Sequence, residues 1–244
     1  MQAHLLDYPR AALFNLLAGL WTLLLMLALL PLAPFLGPDG MRRCARFWMR
    51  GIQGLLRIVA GLSYRVMGLQ NLPARPVIIA SKHQSAWETV FFHLVRVDTV
   101  IGLKHELTRI PLFGWYLMIA HNIRIDRGGA ARALRSLIEG AKAAVAEGCS
   151  ILIFPEGTRV SPGDPPDYKP GVAALYKELD VPVVPVALNS GLFWGRQSFL
   201  KKPGTITVEF LEPIEPGLDR RAFMRLLEDR IETASNRLLA APAG

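Results

Sequence analysis

The sequence predicts an α/β fold, a mostly parallel sheet flanked by helices, preceded by an N-terminal two-helix membrane anchor. Three observations carry this expectation. A long uncharged apolar run opens the chain. Beyond residue 71, short β-rich runs alternate with helical patterns, as in sheets covered by helices. The composition is apolar throughout, with 51% hydrophobic and 20% charged residues and a mean hydropathy of +0.28. Disordered chains are poor in apolar residues, so disorder is excluded.

The 244 residues suffice for one large core. The two cysteines, Cys44 and Cys149, exclude a disulfide scaffold and fall short of a structural zinc set without histidine help. They fit a reducing, cytosol-facing compartment. Net charge is +8. Residues 1–70 hold seven arginines against Asp7 and Asp39, a net +5. Basic chains bind nucleic acid or anionic lipid. Here the arginines are interleaved with apolar runs, which favours lipid over nucleic acid.

Ala11–Leu36 carries no charge, and Asn15 and Thr22 are its larger polar residues. Its length exceeds the roughly 20 residues that span a bilayer as a helix, although Pro31 and Pro34 leave Ala11–Leu30 as the uninterrupted part. A buried core helix and a cleaved signal peptide are the alternatives. The second fits poorly, because the run is longer than a typical signal core and lacks a small-x-small site before the basic stretch. Phe47–Leu62 forms a second apolar segment, with Arg50 and Arg57 on one face and Trp48, Ile52, Leu55, Leu56 and Val59 elsewhere. That is the pattern of an interfacial helix. Gly37-Pro38-Asp39-Gly40 would join the two helices. Arg42, Arg43, Arg46 and Arg50 outweigh Arg10, placing the remainder on the cytoplasmic side of the membrane. The expected division is 1–70 for the membrane-associating segment and 71–244 for the α/β domain. Whether the first helix spans or dips into one leaflet stays open here.

Further along, Pro76–Ser81, Asp98–Leu103, Asn122–Ile125, Ser150–Phe154, Val181–Leu188 and Thr205–Phe210 read as strands. Helices are expected over 85–96, 130–147, 171–179 and 220–239. Leu134, Leu137, Ile138, Ala141 and Val145 give the second its helical period, Gly148 closes it, and Asp219 opens the last as an N-cap.

Two strand ends carry candidate chemistry, where α/β proteins place function. After Pro76–Ser81 come His83 and Glu88. Residues five apart diverge by about 140° on a regular helix, so the pair meets only if His83 sits in the turn before the helix. A carboxylate on one imidazole nitrogen would fix the tautomer and support a proton taken by the other. The alternative is a surface histidine and a helix-start glutamate that never touch. After Ser150–Phe154 comes Pro155-Glu156-Gly157-Thr158-Arg159, where Arg159 could grip a phosphate through paired hydrogen bonds. A plain turn would explain Pro155 and Gly157 but not Glu156 and Arg159. Arg124, Asp126 and Arg127, before Gly128-Gly129, form either a third cationic site or a solvated loop. There is no nucleophile elbow, P-loop or G-x-G-x-x-G. His105-Glu106 lacks the second histidine of a zinc-protease helix, and nothing suggests a metal.

Together, His83 to Glu88, Ile125-Asp126-Arg127, Phe154 to Arg159 and Val181 to Leu188 resemble the 1-acylglycerol-3-phosphate acyltransferase family. That family carries an H-x4-D box, an I-D-R block, an F-P-E-G-T-R block and a V-P-V-x-P-V block in this order. The match covers roughly Pro73–Asn189. Glu88 stands where Asp is usual, keeping the carboxylate with one more methylene, and related glycerolipid and lipid A acyltransferases carry such histidine–glutamate boxes. The resemblance implies acyl transfer from acyl-CoA or acyl carrier protein to the 2-hydroxyl of lysophosphatidate, giving phosphatidate at the cytoplasmic face of the inner or plasma membrane. It implies no cofactor. His83 would be the base, held by Glu88, with Glu156, Gly157, Thr158, Arg159 and Arg127 binding the acceptor. The other readings are an acyltransferase for another lysolipid and a non-catalytic lipid-binding protein.

Overall fold

The computed structural model describes residues 6–125 and 128–241. In chain order the elements are α1 (Asp7–Leu29), α2 (Ala33–Val59), β1 (Leu62–Met67), β2 (Ile78–Ser81), α3 (Phe92–Val95), β3 (Thr99–Lys104), α4 (Phe113–Ile119), β4 (Ile123–Ile125), α5 (Ala130–Ala146), β5 (Ser150–Ile153), α6 (Gly171–Leu179), β6 (Val183–Leu188), β7 (Gly204–Phe210) and α7 (Arg220–Ala240), with short 3₁₀ turns between them. The seven strands form one sheet in the order β1-β7-β6-β2-β5-β3-β4. All neighbours are parallel except β6 and β7.

Alternation along the central strands makes three layers. Ile78 and Ala80 of β2 point to a core completed by Leu137 and Ala141 of α5, Leu175 and Tyr176 of α6, and Phe223, Leu227 and Ile231 of α7. Ile79 between them points to the opposite core, with Val184, Val186, Val208 and Phe210. That second core is closed by Ile52 and Leu56 of α2 and Phe14 of α1. A strand buried on both faces reads as a continuous apolar run, which is why β2, β5 and β6 are legible in sequence. Asp219 caps α7, its carboxylate accepting from the Arg221 and Ala222 amides at 2.8 and 3.0 Å.

The amino-terminal expectations are corrected in three respects. The chain reverses at Leu30–Leu32, ahead of the Gly37–Gly40 segment. Pro34 sits in the first turn of α2, where a missing N–H costs nothing. Gly37, at φ +60°, breaks the helical path within α2. Much of the apolar face of α2 is taken up by the core: Ile52 and Leu56 are buried there, and Trp48, Leu55 and Val59 pack against it, while Phe47 and Ile58 remain exposed. Arg43, Arg50 and Arg57 are exposed on the other side. Finally, β1 lies before residue 70 yet pairs with β7 along its length, Leu62 with Gly204 through Met67 with Glu209. The helical segment and the sheet therefore share one core. Close approach of α1 to α2 depends on Gly51, where a Cβ would meet the Trp21 ring at 2.4 Å.

The helix expected over 85–96 is split into a 3₁₀ turn at Trp87–Val90 and the short α3. The reason is local. The Glu88 carboxylate accepts the Ser85 amide at 3.0 Å, and the Ser85 hydroxyl accepts the Trp87 amide at 3.1 Å. Side chains that capture nearby amides compete with the helical ladder.

Candidate active site

Three adjacent parallel strands deliver the site. In the order β6-β2-β5, each ends at the same edge of the sheet. The turn after β2 carries His83 and Glu88, the loop after β5 carries Glu156 to Arg159, and the turn after β6 carries Ser190.

His83 does sit in the turn, and the two side chains do face each other. Nδ1 lies 3.4 Å from Glu88 Oε2. At this separation Nδ1 makes no hydrogen bond in the resting geometry and is buried; contacts of this kind commonly tighten when substrate arrives. The ring stacks on Phe154, centroids 3.8 Å apart and planes 14° from parallel, which fixes its plane. Nε2 is not among the buried unpartnered atoms, so it keeps contact with solvent.

Glu88 is fully buried and immobilised from several directions. It accepts the Ser85 amide with both oxygens, at 3.1 and 3.0 Å, and the Gln84 amide at 3.3 Å. The Ser190 hydroxyl donates to its Oε1. These donors take the place of water around its oxygens, so the buried carboxylate is not left unsatisfied. The next residue back, Trp87, is tethered to α2 through Nε1 to Gln53 Oε1 at 3.0 Å.

The loop after β5 behaves differently from its expectation. Glu156 is turned inward, 2% exposed, with Oε1 on Lys82 Nζ at 2.7 Å and Oε2 accepting the His83 amide at 3.4 Å. Burial pushes its carboxyl above the usual carboxylate range, Lys82 pulls it back, and nearby Glu232 pushes it further up. Gly157, at φ +66°, makes the turn that a side chain would strain. Gly157 and Thr158 are exposed. Arg159 is half-buried and has no hydrogen bond or ion pair among the described residues, so its guanidinium is free for a ligand. Arg127 lies outside the described residues. The sheet order sets β4 three strand spacings from β2, roughly 14 Å.

A scan of the chain against family models matches residues 63–189 to the family described as Acyltransferase. The chain belongs to the acyltransferase family. The matched segment begins in β1 and ends one residue before Ser190, so it contains the H-x4-E box and the Glu156–Arg159 loop. The 1-acyl-sn-glycerol-3-phosphate acyltransferase of Pseudomonas aeruginosa is 41% identical over 161 residues, 66% of this chain and 63% of that protein. The enzyme of the same name from Limnanthes douglasii is 33% identical over 165 residues, 67% of this chain and 58% of that protein. The match thus spans less than two thirds of these relatives' own length. The crystal structure of the 1-acyl-sn-glycerophosphate acyltransferase PlsC from Thermotoga maritima superposes with a TM-score of 0.75, covering 96% of this chain and 99% of that one at 21% identity. At that identity the likeness establishes the shared acyltransferase fold.

Sequence reading missed Lys82, Phe154 as a stacking partner, Ser190 and Glu232. Ser190 is 102 positions from Glu88, and no local pattern links them. Among the other histidines, His93 is buried and its pKa is lowered to about 4 by burial and by Arg42. His121 pairs with Glu147 at 3.1 Å on the surface.

Proposed function

We propose that the chain transfers a fatty acyl group from a thioester, acyl-CoA or acyl carrier protein, to the 2-hydroxyl of lysophosphatidate, giving phosphatidate. The observation that carries this reading is the pairing of His83 Nδ1 with a buried, amide-held carboxylate while Nε2 remains open. Glu88 favours the tautomer with the proton on Nδ1. The Nε2 lone pair can then take the proton of an alcohol, itself a weak nucleophile at neutral pH. The acceptor oxygen attacks the thioester carbonyl and the C–S bond breaks. The proton held by His83 then passes to the departing thiolate, so no cofactor is needed. Arg159, and Arg127 beyond β4, would bind the phosphate monoester as paired cations.

The acceptor lives in a bilayer, and α1 suits that location. It is the one described helix long and apolar enough to cross a membrane. The two polar residues of its uncharged stretch face the protein: Asn15 Oδ1 accepts from Lys201 Nζ at 2.8 Å, and Thr22 Oγ1 accepts from Trp48 Nε1 at 2.9 Å. Near its other end the Tyr116 hydroxyl donates to the Met26 carbonyl at 2.6 Å. Leu13, Leu16, Leu20, Leu23, Leu24 and Leu27 are exposed, and their spacing places them on the opposite face. A helix docked along its length, with leucines outward, sits in one leaflet and brings the site to the membrane surface. Arg43, Arg50 and Arg57 would face anionic headgroups on the cytoplasmic side.

The test is a donor-by-acceptor assay on the full chain in vesicles, pairing labelled acyl-CoA and acyl carrier protein with lysophosphatidate and with lysophosphatidylcholine. Transfer to lysophosphatidate is expected to dominate. Equal or greater transfer to the capped lysolipid would remove lysophosphatidate as the acceptor, and no transfer in any pairing would remove the reaction.

A further inference from the structure

Beneath His83 lies a buried charge cluster that acyl transfer does not itself require. Lys82 is 3% exposed, and its ammonium sits between Glu156 Oε1 at 2.7 Å and the Glu232 carboxylate of α7 at 2.8 and 3.0 Å. The Tyr168 hydroxyl donates to Glu232 Oε1 at 2.9 Å. These four residues come from the ends of β2 and β5, from the segment before α6, and from α7. Glu232 lies outside the segment matched to the family.

We propose that Glu232 is a positioning residue for His83, acting through Lys82 and Glu156. This inference rests on the reading of His83 as the base. The main chain of His83 is held on both sides by the loop after β5: its amide donates to Glu156 Oε2 at 3.4 Å, and its carbonyl accepts the Val160 amide at 2.8 Å. Glu156 can reach that amide only because its other oxygen is fixed on Lys82. A buried ammonium with one anion would draw that anion fully onto itself, since it has three donors to satisfy. Glu232 supplies the second anion, so Lys82 is saturated and Glu156 is shared between it and His83. Glu232 also lines a cleft of about 520 Å³ with Asp164, Arg225, Glu228 and Asp229. That cleft keeps its carboxylate, 19% exposed, in reach of water. Neutralising Glu232 lets Glu156 close on Lys82 and release the His83 amide, which moves the ring relative to substrate.

The experiment compares Glu232→Gln and the milder Tyr168→Phe with the unsubstituted full chain in vesicles. Glu232→Gln is expected to lower kcat roughly tenfold with both substrate KM values within about twofold, the signature of a contact that matters only in the transition state. Tyr168→Phe should lower kcat by a smaller factor, because it removes one hydrogen bond from Glu232 and leaves its contact with Lys82. Thermal midpoints recorded alongside separate a folding defect. A second readout is independent of turnover: in ¹⁵N-histidine spectra, the His83 ring resonances, assigned by their loss in His83→Gln, should shift in Glu232→Gln. Unchanged kcat and unchanged His83 resonances would overturn the proposal, as would a fall in kcat that merely tracks loss of folded protein in both variants. If the unsubstituted chain transfers no acyl group, the functional reading fails, and the resonance shift alone still decides whether Glu232 positions His83.

Discussion

The contact between Ser190 and Glu88 would let a glutamate fill this box, and it can be tested by a double-mutant cycle. Glu88 reaches past the turn to place Oε2 near His83 and Oε1 on the Ser190 hydroxyl. Ser190→Ala removes one donor from a fully buried carboxylate and leaves the amides of Gln84 and Ser85 at 3.0–3.3 Å. A hydrogen bond to a charged group is worth about 1.5–3 kcal/mol, so kcat is expected to fall roughly 10- to 150-fold if the whole contribution is expressed in the transition state. In the Glu88→Asp background the carboxylate is drawn back by one carbon–carbon bond, about 1.5 Å, and cannot hold both Ser190 and the imidazole. There Ser190→Ala should change kcat by less than about threefold, a coupling characteristic of residues in direct contact. The assay is steady-state acyl transfer to lysophosphatidate in vesicles, with four chains measured at one pH. Glu88→Asp alone should keep measurable activity. Additive effects of the two substitutions would refute the reasoning, because Ser190 would then act on something other than the glutamate oxygen.

Removing the base by His83→Ala should lower kcat by roughly 10²–10⁴ while circular dichroism and vesicle binding stay as before; turnover within a few-fold of the parent would remove His83 from the mechanism. Arg159→Ala should raise the acceptor KM roughly 10- to 150-fold and leave the donor KM nearly unchanged, with Arg159→Lys restoring only part because an ammonium cannot form the planar pair. His93 gives a pH signature. Its folded pKa of about 4 lies below the ordinary 6.5, so between these values the unfolded chain binds a proton that the folded chain does not. Stability should therefore fall as pH drops from 6.5 to 4, by about 3 kcal/mol in full, and thermal melts of His93→Gln should lack most of that slope. Finally, Leu20→Glu with Leu24→Glu should move the chain from the vesicle pellet to the supernatant at moderate salt while the core beneath α1 stays folded; unchanged pelleting would show that this face does not meet lipid.

Fold class, six of the seven strands and the three longer α helices of the α/β part are legible in the sequence because each obeys a short-range period. β2 and β6 are apolar runs, α5 and α6 are amphipathic, and α7 has a capping aspartate. β1 escapes because LSYRVM is a mixed edge strand whose burial alternates weakly, and its partner lies 142 positions away. The apolar face of α2 is readable, but what covers it is not, since a sheet and a bilayer ask for the same residues. In the site, His83, Glu88 and Arg159 stand out because their side chains are chemically unusual next to apolar strands. Glu156 stands out for the same reason, and its carboxylate nevertheless turns inward. A buried lysine one residue before His83 decides its direction, and that lysine is itself oriented by α7. Such three-body arrangements leave no trace in local spacing.

The pairing of β1 with β7 has a consequence for synthesis. Among the described residues β1 has no other strand neighbour, and Leu62 waits for Gly204. At about 5–20 residues per second, the ribosome needs roughly 7–28 s to make that partner. For this interval the greasy faces of α1 and α2 are complete while the β7 surface that buries part of them does not yet exist. We expect the nascent helices to reside on the lipid surface before the domain closes, so that attachment precedes folding. Ribosome-stalled chains ending near residue 150 should already float with added vesicles and remain protease-sensitive from β1 onward, and chains that bind vesicles only after residue 210 has emerged would reverse that order.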